Sequence, residues 1–411
     1  MGEMVSISIG EYDFLSYKNT FGDLLTIFYE GDLHIVEGAE DGEFTTRYFS
    51  TTVGRAKKCL DILGYTADKA HDTFERYKQE QIDFFNERDN VDSAYVIQYQ
   101  NEFTFESWSL AAKLYAKVLA RDIFSPDCKY IELERIRSLP HSISEQIVLH
   151  SLPFDADQTF FGIESDCGGW EIFRVILEAF DDKQEVVLDY TALHIGGWCE
   201  AVPSDEFHDF PKTVILTEGK YDAYVISESM RLLYPYLCKF YSFMDFSTFH
   251  VQGSTNFLTH YVKAFIGAQI ENRIIALYDN DAAGLSEIRG LESIQLPENV
   301  KIMHLPNLDM CTDYPTIGPT ASENTNINGR ACSIELFLGQ DILKQEGELI
   351  PVMWSGYIDK IQKYQGEIMN KGDIQNRFKS KLRDAEKNGI RNMDDWQEID
   401  LLLNTIFEAF I

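Results

Sequence analysis

The sequence predicts an α/β protein in which a domain built on a parallel β-sheet follows an α+β domain and precedes a small helical region. Short apolar runs rich in β-branched residues alternate with amphipathic stretches between residues 213 and 305. Such alternation is typical of a parallel sheet whose strands are connected by helices. Acidic residues directly follow two of the apolar runs, where parallel sheets commonly carry their functional groups.

The first 125 residues predict the α+β domain. Apolar and polar residues alternate over residues 5–9, which is the period of a half-buried strand. Residues 24–36 predict a hairpin that turns at Gly31. Amphipathic helices are expected next, over residues 55–63, 68–88 and 105–119. Gly64 would cap the first of them.

The rest of the chain divides into three further segments. Residues 126–208 predict a middle α/β segment, with helices over 142–149 and 170–180 and a strand over 185–193. Residues 209–345 predict the parallel-sheet domain. Its strands are expected at 213–217, 239–244, 273–278 and 300–305, and its helices at 222–234, 256–267 and 283–294. Residues 346–411 are predicted to be helical.

The composition narrows the classes of function. The 411 residues carry a formal net charge of −31, whereas most nucleic-acid-binding proteins show a basic surface. No run of eighteen apolar residues and no signal peptide is apparent, so no membrane association is expected. The seven cysteines are scattered without a CxxC pair, which argues against a zinc ribbon and fits reduced thiols. We therefore expect a cytoplasmic protein.

One stretch departs from the acidic background. Residues 371–391 contain seven basic and three acidic side chains, and a helical arrangement would bring several of the basic ones to one face. That face could follow a phosphate backbone, or the stretch could be a solvated helix with internal ion pairs. The side chains expected to contact nucleic acid are Arg377, Lys379, Lys381 and Arg383.

The candidate functional residues follow the first and third predicted strands of the parallel sheet. Glu218 follows the run 213–217, and Asp279 and Asp281 follow the run 274–278. If these strands are neighbours, the three carboxylates lie at one edge of the sheet and repel one another. A divalent cation with oxygen ligands, Mg²⁺ or Mn²⁺, would relieve that repulsion. In an ordinary doubly wound domain, the same acids would be helix N-caps or solvated turn residues.

The sequences Glu218-Gly219 and Asp279-Asn280-Asp281, in this order and each after a strand, resemble the Toprim domain. That domain occurs in topoisomerases, primases, RecR-like proteins and OLD-type nucleases, and the resemblance covers about residues 210–339. It implies a Rossmann-like parallel sheet in which Glu218, Asp279 and Asp281 are catalytic and bind metal.

Asp222 lies one helical turn after Glu218, so it can point back at the same pocket and bind metal. In OLD-type nucleases, further acids complete a two-metal site, and Glu335 matches the later acid, which lies on a short helix there. Asp222 could equally complement a helix dipole, and Glu335 could be an acid of a capping region. Lys220 lies beside the first motif and could contact phosphate or be solvated.

A second resemblance lies in the N-terminal part. Ser16-Tyr17-Lys18-Asn19 and the segment 60–64 look like the N-terminal domain that accompanies some HEPN and Toprim proteins. Arg135 and His141 have the spacing of the HEPN ribonuclease motif, but Pro140 disfavours a helix there. We therefore interpret this pair as a coincidence.

The Toprim resemblance implies a divalent-metal-dependent nuclease, and free-standing proteins of this kind suggest prokaryotic anti-phage defence. The expected partner is nucleic acid, DNA rather than RNA. No Gly-x(4)-Gly-Lys-Ser/Thr loop is present, so an ATPase or other defence-system protein would be a separate partner. Two other functions remain open: a non-catalytic RecR-like scaffold or nucleic-acid-binding protein, and a primase-like nucleotidyl transferase. The chain could also form a homo-oligomer.

Overall fold

The structure, a computed structural model, describes residues 2–38, 45–88, 91–120, 138, 141–151, 169–207, 209–244, 246, 253–318 and 322–411. The chain forms two compact units, Met1–His208 and Asp209–Phe410. Within the described residues, no helix combines the length and the apolar character needed to cross a membrane.

The N-terminal unit is built on an antiparallel sheet. Its described strands are β1 (Met4–Ile9), β2 (Tyr12–Lys18), β3 (Leu33–Val36), β4 (Thr46–Thr52) and β5 (Glu185–Asp189). They are ordered β2-β1-β5-β4-β3, so the sequence-distant β5 pairs with both β1 and β4 at the centre. The domain boundaries drawn from the sequence stay predictions.

The N-terminal unit also contains helices. The described ones are α1 (Val53–Leu63), α2 (Ala67–Asn86), α3 (Ser93–Glu102), α4 (Phe105–Leu119), α5 (Ile143–Ser151), α6 (Trp170–Leu177) and α7 (Thr191–Ile195). The predicted cap is confirmed, because Gly64 ends α1 with a left-handed φ of 96°.

Two local predictions for this unit are wrong. Residues Leu24–Ile27 form a buried 3₁₀ turn instead of a hairpin strand, and β3 pairs with β4. The tertiary burial of this apolar run overrides its strand propensity. The strand predicted over 185–193 ends at Asp189, because a short helix starts at Thr191.

The C-terminal unit contains the predicted parallel sheet. Its strands are β6 (Thr213–Thr217), β7 (Tyr241–Phe243), β8 (Ile274–Tyr278) and, after the two-residue β9 (Asn280–Asp281), β10 (Val300–His304). They are ordered β10-β8-β6-β7, and each neighbouring pair is parallel. The connecting helices are α8 (Lys220–Leu233), α9 (Thr255–Gly267) and α10 (Ala282–Leu291). Their order confirms the predicted alternation of strands and helices.

The core of this unit explains why β8 lies inside the sheet. Every residue of Ile274–Tyr278 is buried, which is typical of a strand covered on both faces. Leu258 and Val262 of α9 and Leu291 of α10 pack into the same apolar cluster. Because this core fixes β8 beside β6, it also fixes the two loops that follow these strands.

The C-terminal region is not wholly helical, so that part of the prediction is wrong. The later strands are β11 (Tyr314–Ile317), β12 (Ser322–Thr325), β13 (Ala331–Cys332), β14 (Lys344–Gln345), β15 (Glu348–Leu349), β16 (Val352–Ile358) and β17 (Lys363–Ile368). The helices are α11 (Gln340–Leu343), α12 (Lys371–Asn388) and α13 (Gln397–Phe407). Aromatic residues and glycine in β16 favour a strand over a helix.

Candidate functional site

The two predicted acidic motifs meet at one edge of the parallel sheet. β6 and β8 are adjacent and in register, with Thr217 opposite Leu277. Glu218 and Asp279 therefore leave neighbouring strands close together. The backbone N–H of Asp279 donates to Oε1 of Glu218 over 2.9 Å, and this hydrogen bond joins the two motifs directly.

Glu218 is held at both carboxylate oxygens. Besides the bond from Asp279, the hydroxyl of Thr255 in the first turn of α9 donates to Oε2 over 2.6 Å. Burial raises the pKa of Glu218, these two hydrogen bonds oppose the rise, and the nearby charge of Asp281 adds to it. The side chain is thus oriented by the protein but is costly to ionise.

Two glycines allow the backbones around these acids to come close. A Cβ on Gly253 would lie 2.7 Å from the carbonyl oxygen of Glu218, and a Cβ on Gly284 would collide with the carbonyl oxygen of Asp279. Real side chains do not fit such spaces without moving the backbone. Glycine at these positions therefore helps to set the loops that carry Glu218 and Asp279.

Asp281 is both a neighbour of the site and the N-cap of α10. Its Oδ1 accepts the N–H of Gly284 over 2.7 Å, and its Oδ2 accepts the side-chain amide of Gln365 over 2.6 Å. Burial raises the pKa of Asp281, while the hydrogen bonds from Gly284 and Gln365 oppose the rise. Asp281 therefore does act as a helix N-cap, which is the role that an acid has in an ordinary doubly wound domain.

Asp222 and Glu335 belong to the same group of acids. Asp222 accepts the N–H of Gly219 over 2.8 Å at the start of α8. Burial, followed by the charges of Glu335 and Glu218, raises the pKa of Asp222 to about 7. We call Glu218, Asp222, Asp279, Asp281 and Glu335 the acidic cluster.

Glu335 is fully buried and receives three polar side chains. The hydroxyl of Ser333 donates to it over 2.7 Å, the amide of Gln375 over 2.9 Å, and the Lys371 ammonium lies 3.3 Å away. Burial lowers the pKa of Lys371, but the charges of Glu335 and Asp279 outweigh this effect and raise it. Lys371 is therefore a cation at the acidic cluster.

Asp279 differs from the other members of the cluster in the hydrogen bonds that its carboxylate receives. Its carboxylate accepts no hydrogen bond from the described residues, in contrast to the carboxylates of the other four acids. Burial raises the pKa of Asp279 well above its usual range, and the charges of the other four members raise it further. Four like charges surround this carboxylate, no described residue donates a hydrogen bond to it, and the charge of Lys371 offsets the repulsion in part.

The acidic cluster is not arranged as a ready-made metal site. Among the described residues, no three carboxylate, imidazole or thiolate groups are placed so that they could hold an ion together. In addition, Thr255, Gln365 and Gln375 donate hydrogen bonds to carboxylate oxygens that a metal would need. Metal binding would require some of these bonds to be exchanged.

The basic residues predicted to bind nucleic acid divide into two groups. Arg377 donates to two backbone carbonyls at 2.9 and 3.0 Å, and Lys381 donates to Asp341 and to two carbonyls at 2.6 to 3.0 Å. These two residues stabilise the end of the short helix α11 and its surroundings. Lys379 and Arg383 lie near Tyr224, and Lys220 is exposed at the start of α8. That Lys379, Arg383 and Lys220 contact nucleic acid stays a prediction.

Some residues at the site were not identified from the sequence. Gln365 and Gln375 come from β17 and α12, and isolated glutamines in polar segments have no pattern that would mark them. The sequence predicts Lys371 only as part of a basic stretch. In the N-terminal unit, Arg135 of the HEPN-like spacing lies outside the described residues, and Nδ1 of His141 lies 3.9 Å from Glu145.

Comparison with known proteins identifies the N-terminal part. The family model for "HEPN/Toprim N-terminal domain 1" matches residues 1–215. The match ends within β6, so the acidic cluster lies beyond it. No curated protein and no solved structure matches the chain significantly. Because the matched residues make up more than half of the 411, the chain belongs to the HEPN/Toprim N-terminal domain 1 family.

Proposed function

We propose that the chain is a divalent-metal-dependent nuclease whose acidic cluster cleaves phosphodiester bonds. The observation that carries this proposal is the state of Asp279. Its carboxylate lies among four other carboxylates, its pKa is raised by burial and by these charges, and no described donor compensates it. A bound cation would add to the partial compensation from Lys371, and oxygen ligands of this kind suit Mg²⁺ or Mn²⁺.

The acidic cluster offers the carboxylate oxygens that such an ion prefers as ligands. Asp279 and Glu218 would be its first ligands, since they are adjacent at the strand ends, and Asp281 would complete the set after exchanging the amide of Gln365. Asp222 and Glu335 would serve a second ion or balance the first. A bound ion would activate water and stabilise the charge that develops on the phosphate.

The protein's own groups would prepare this site. Thr255 and the N–H of Asp279 fix the orientation of Glu218, which reduces the reorganisation needed during the reaction. Lys371 is 40 % exposed and lies 3.3 Å from Glu335, so its ammonium could also face an incoming phosphate. Lys379, Arg383 and Lys220 would contribute further phosphate contacts.

Two features support the finer assignment to a Toprim nuclease of the OLD type. The parallel sheet with acids after β6 and β8 has the order expected of a Toprim domain. The N-terminal domain family is named for both HEPN and Toprim. We extend the proposal to a cytoplasmic role in prokaryotic anti-phage defence on DNA, with a separate ATPase or defence-system protein as partner and with a homo-oligomer as a further option.

A cleavage assay tests the proposal. Purified protein is incubated with plasmid, single-stranded DNA and RNA in Mg²⁺, in Mn²⁺ and in EDTA. We expect cleavage only with metal and its loss in Asp279→Asn, whereas Asp309→Asn, a matched change of an exposed aspartate in the same unit, should remain active. Cleavage that persists in EDTA would exclude the metal mechanism.

A RecR-like scaffold is the second candidate, because four acids of the cluster already have protein donors and no three form a ready metal site. In that case the cluster would be a structural polar network. Nucleic-acid binding without cleavage in any metal, unchanged by Asp279→Asn, would favour the scaffold.

A further inference from the structure

Gln365 binds directly to one of the proposed metal ligands. Its side-chain amide nitrogen donates to Oδ2 of Asp281 over 2.6 Å, and its amide oxygen accepts the N–H of Ala283 over 2.9 Å. The two contacts together fix which end of the amide faces the carboxylate, because only the nitrogen can donate. Gln365 therefore holds a carboxylate oxygen and an N–H at the start of α10 at the same time.

The two oxygens of Asp281 have different kinds of donor. Oδ1 accepts the backbone N–H of Gly284 over 2.7 Å as the cap of α10, and this bond cannot be exchanged without opening the first turn of the helix. A carboxylate that binds a metal is commonly held by a hydrogen bond as well. The cap already supplies that bond at Oδ1. Oδ2 is thus the oxygen that remains for an ion, and Gln365 holds it.

A bulge in the hairpin of β16 and β17 lies opposite Gln365. The pairing of the two strands shifts between Trp354 and Gly356, and Gly356 is the residue paired with Gln365. The intervening Ser355 donates its hydroxyl to the backbone carbonyl of Gln365 over 3.2 Å. Bulges change the direction of side chains and are frequent beside active sites. This bulge therefore belongs to the local structure that directs Gln365 toward α10.

The hairpin is bound to α10 at a second point as well. The ammonium of Lys360 donates to the carbonyl of Ser286 over 2.7 Å. Rotation of the Gln365 side chain about its own bonds can therefore release Asp281 while the hairpin stays in place. Thr255, which donates to the acid that follows β6, has a short β-branched side chain without this freedom. Gln365 is the donor that the site can exchange most readily.

We propose that Gln365 is an autoinhibitory latch that competes with the divalent ion for Oδ2 of Asp281. In the metal-free protein the amide occupies this oxygen with a neutral donor, and an ion binds it only after the amide has rotated away. The apparent metal affinity is then lower than that of the open site, by the fraction of molecules in which the site is open. The latch rests on the proposed function, since it regulates the loading of the same site.

Mn²⁺ binding and thermal melting test the latch without requiring cleavage. Gln365→Met keeps the length of the side chain but removes the amide, so Oδ2 of Asp281 loses its donor in the metal-free protein. We expect a lower melting temperature in EDTA and a larger rise on addition of Mn²⁺ than in the wild type. Because a hydrogen bond to a charged group is lost from the metal-free state alone, the affinity for Mn²⁺ should tighten about tenfold. Counting free Mn²⁺ by electron paramagnetic resonance measures this affinity.

Gln397 provides a matched control in the same unit. It is exposed and donates to Oδ1 of Asp394 over 2.9 Å, so Gln397→Met also removes a bond from an amide to a carboxylate, but outside the acidic cluster. Its response to Mn²⁺ should equal that of the wild type. If Gln365→Met melts too early to be loaded, Gln365→Asn replaces it, because the shorter amide stays polar but cannot reach both of its partners.

Two results would overturn the latch. Equal Mn²⁺ affinity in the wild type and Gln365→Met, with weaker binding by Asp279→Asn, would show that the ion does not compete with the amide. Weaker binding by Gln365→Met than by the wild type would show that Gln365 positions Asp281 for the ion instead. Failure of the nuclease proposal looks different, because neither protein would then bind Mn²⁺ more tightly than Asp279→Asn.

Discussion

At the scale of single residues, Asp279 joins the electrostatics of the site to its proposed chemistry. The charges of the other four acids of the cluster reach this carboxylate, and all of them raise its pKa in addition to the effect of burial. Ionising a carboxylate in this position costs free energy, and a nearby cation would lower that cost. Carboxylates whose pKa values are strongly perturbed by burial and by neighbouring charges are typical of functional sites.

Replacing Asp279 by asparagine should stabilise the metal-free protein at pH 8. The folded-state pKa values of Asp279 and Asp222, the latter about 7, are raised above their unfolded values. The folded state therefore binds more protons, and stability is lost as pH rises: from about 4 to about 7 for Asp222, and upward from about 4 for Asp279. Asp279→Asn removes one of the repelling charges, so its melting temperature should exceed that of the wild type.

The expected rise in the melting temperature of Asp279→Asn is a few degrees. A stabilisation of about 1 kcal/mol corresponds to about 2–4 °C in a unit of this size. The difference should shrink at pH 5, where the wild-type carboxylates take up protons. Melting curves in EDTA at the two pH values measure it. A variant that melts below the wild type at pH 8 would show that Asp279 stabilises the fold as an anion.

At this scale, the sequence predicted which acids come together but not which groups hold them. Glu218, Asp279 and Asp281 could be found because each follows an apolar run that forms a strand. Gln365 and Gln375 reach the site from residues far along the chain. No local pattern distinguishes them from solvated glutamines, because only the tertiary fold brings them there.

At the scale of elements, the close approach of α10 to the loop after β8 depends on Gly284. We predict that Gly284→Ala destabilises the C-terminal unit and weakens metal-dependent activity, because the new Cβ would collide with the carbonyl of Asp279. Gly267→Ala in α9 is the control. A Cβ there meets nothing within 4 Å, so alanine should be neutral or stabilise by up to about 1 kcal/mol. Equal melting temperatures for the two variants would contradict this account.

Helix α12 combines basic residues that bind backbone carbonyls with basic residues that are partly or fully exposed, and the two groups should respond differently to mutation. Lys381→Met removes three hydrogen bonds to Leu338, Asp341 and Asp395 and should cost about 2 kcal/mol of unfolding free energy. Lys379→Gln with Arg383→Gln should leave stability unchanged but lower nucleic-acid affinity, with the salt slope reduced by about 1 per lost phosphate contact. Urea unfolding and binding at several salt concentrations measure both effects. An unchanged salt slope would place the contact surface elsewhere.

The elements of the parallel sheet were largely predictable, whereas the later strands were not. Buried runs such as Ile274–Tyr278 are apolar throughout and leave little choice of structure. In β16 and β17 the exposed and buried positions do not alternate cleanly, and the pairing shifts between Trp354 and Gly356. A bulge of this kind interrupts the two-residue period by which strands are recognised.

At the scale of the whole molecule, the net charge of −31 shapes how the protein meets a polyanion. Repulsion should keep its affinity for nucleic acid low in EDTA. Divalent ions bound at the acidic cluster would reduce that repulsion. We predict that Ca²⁺, used as a probe that supports binding without the cleavage expected of Mg²⁺, raises the affinity for a labelled oligonucleotide.

This increase should be lost in Asp279→Asn and kept in Asp309→Asn, because only the first variant alters the cluster. Anisotropy at fixed ionic strength separates the effect from general screening, which acts on exposed charges over about 10 Å at 0.1 M salt. If both variants respond to Ca²⁺ as the wild type does, the ion acts through the general charge of the surface.

The central claim is that the acidic cluster binds a divalent metal, and titration with Mn²⁺ followed by electron paramagnetic resonance tests it most directly. Free Mn²⁺ is counted in wild type, Asp279→Asn and Asp309→Asn at pH 8, so that weak sites on the acidic surface cancel in the comparison. We predict that the wild type and Asp309→Asn take up at least one ion that Asp279→Asn does not. Equal uptake by all three proteins would contradict the account.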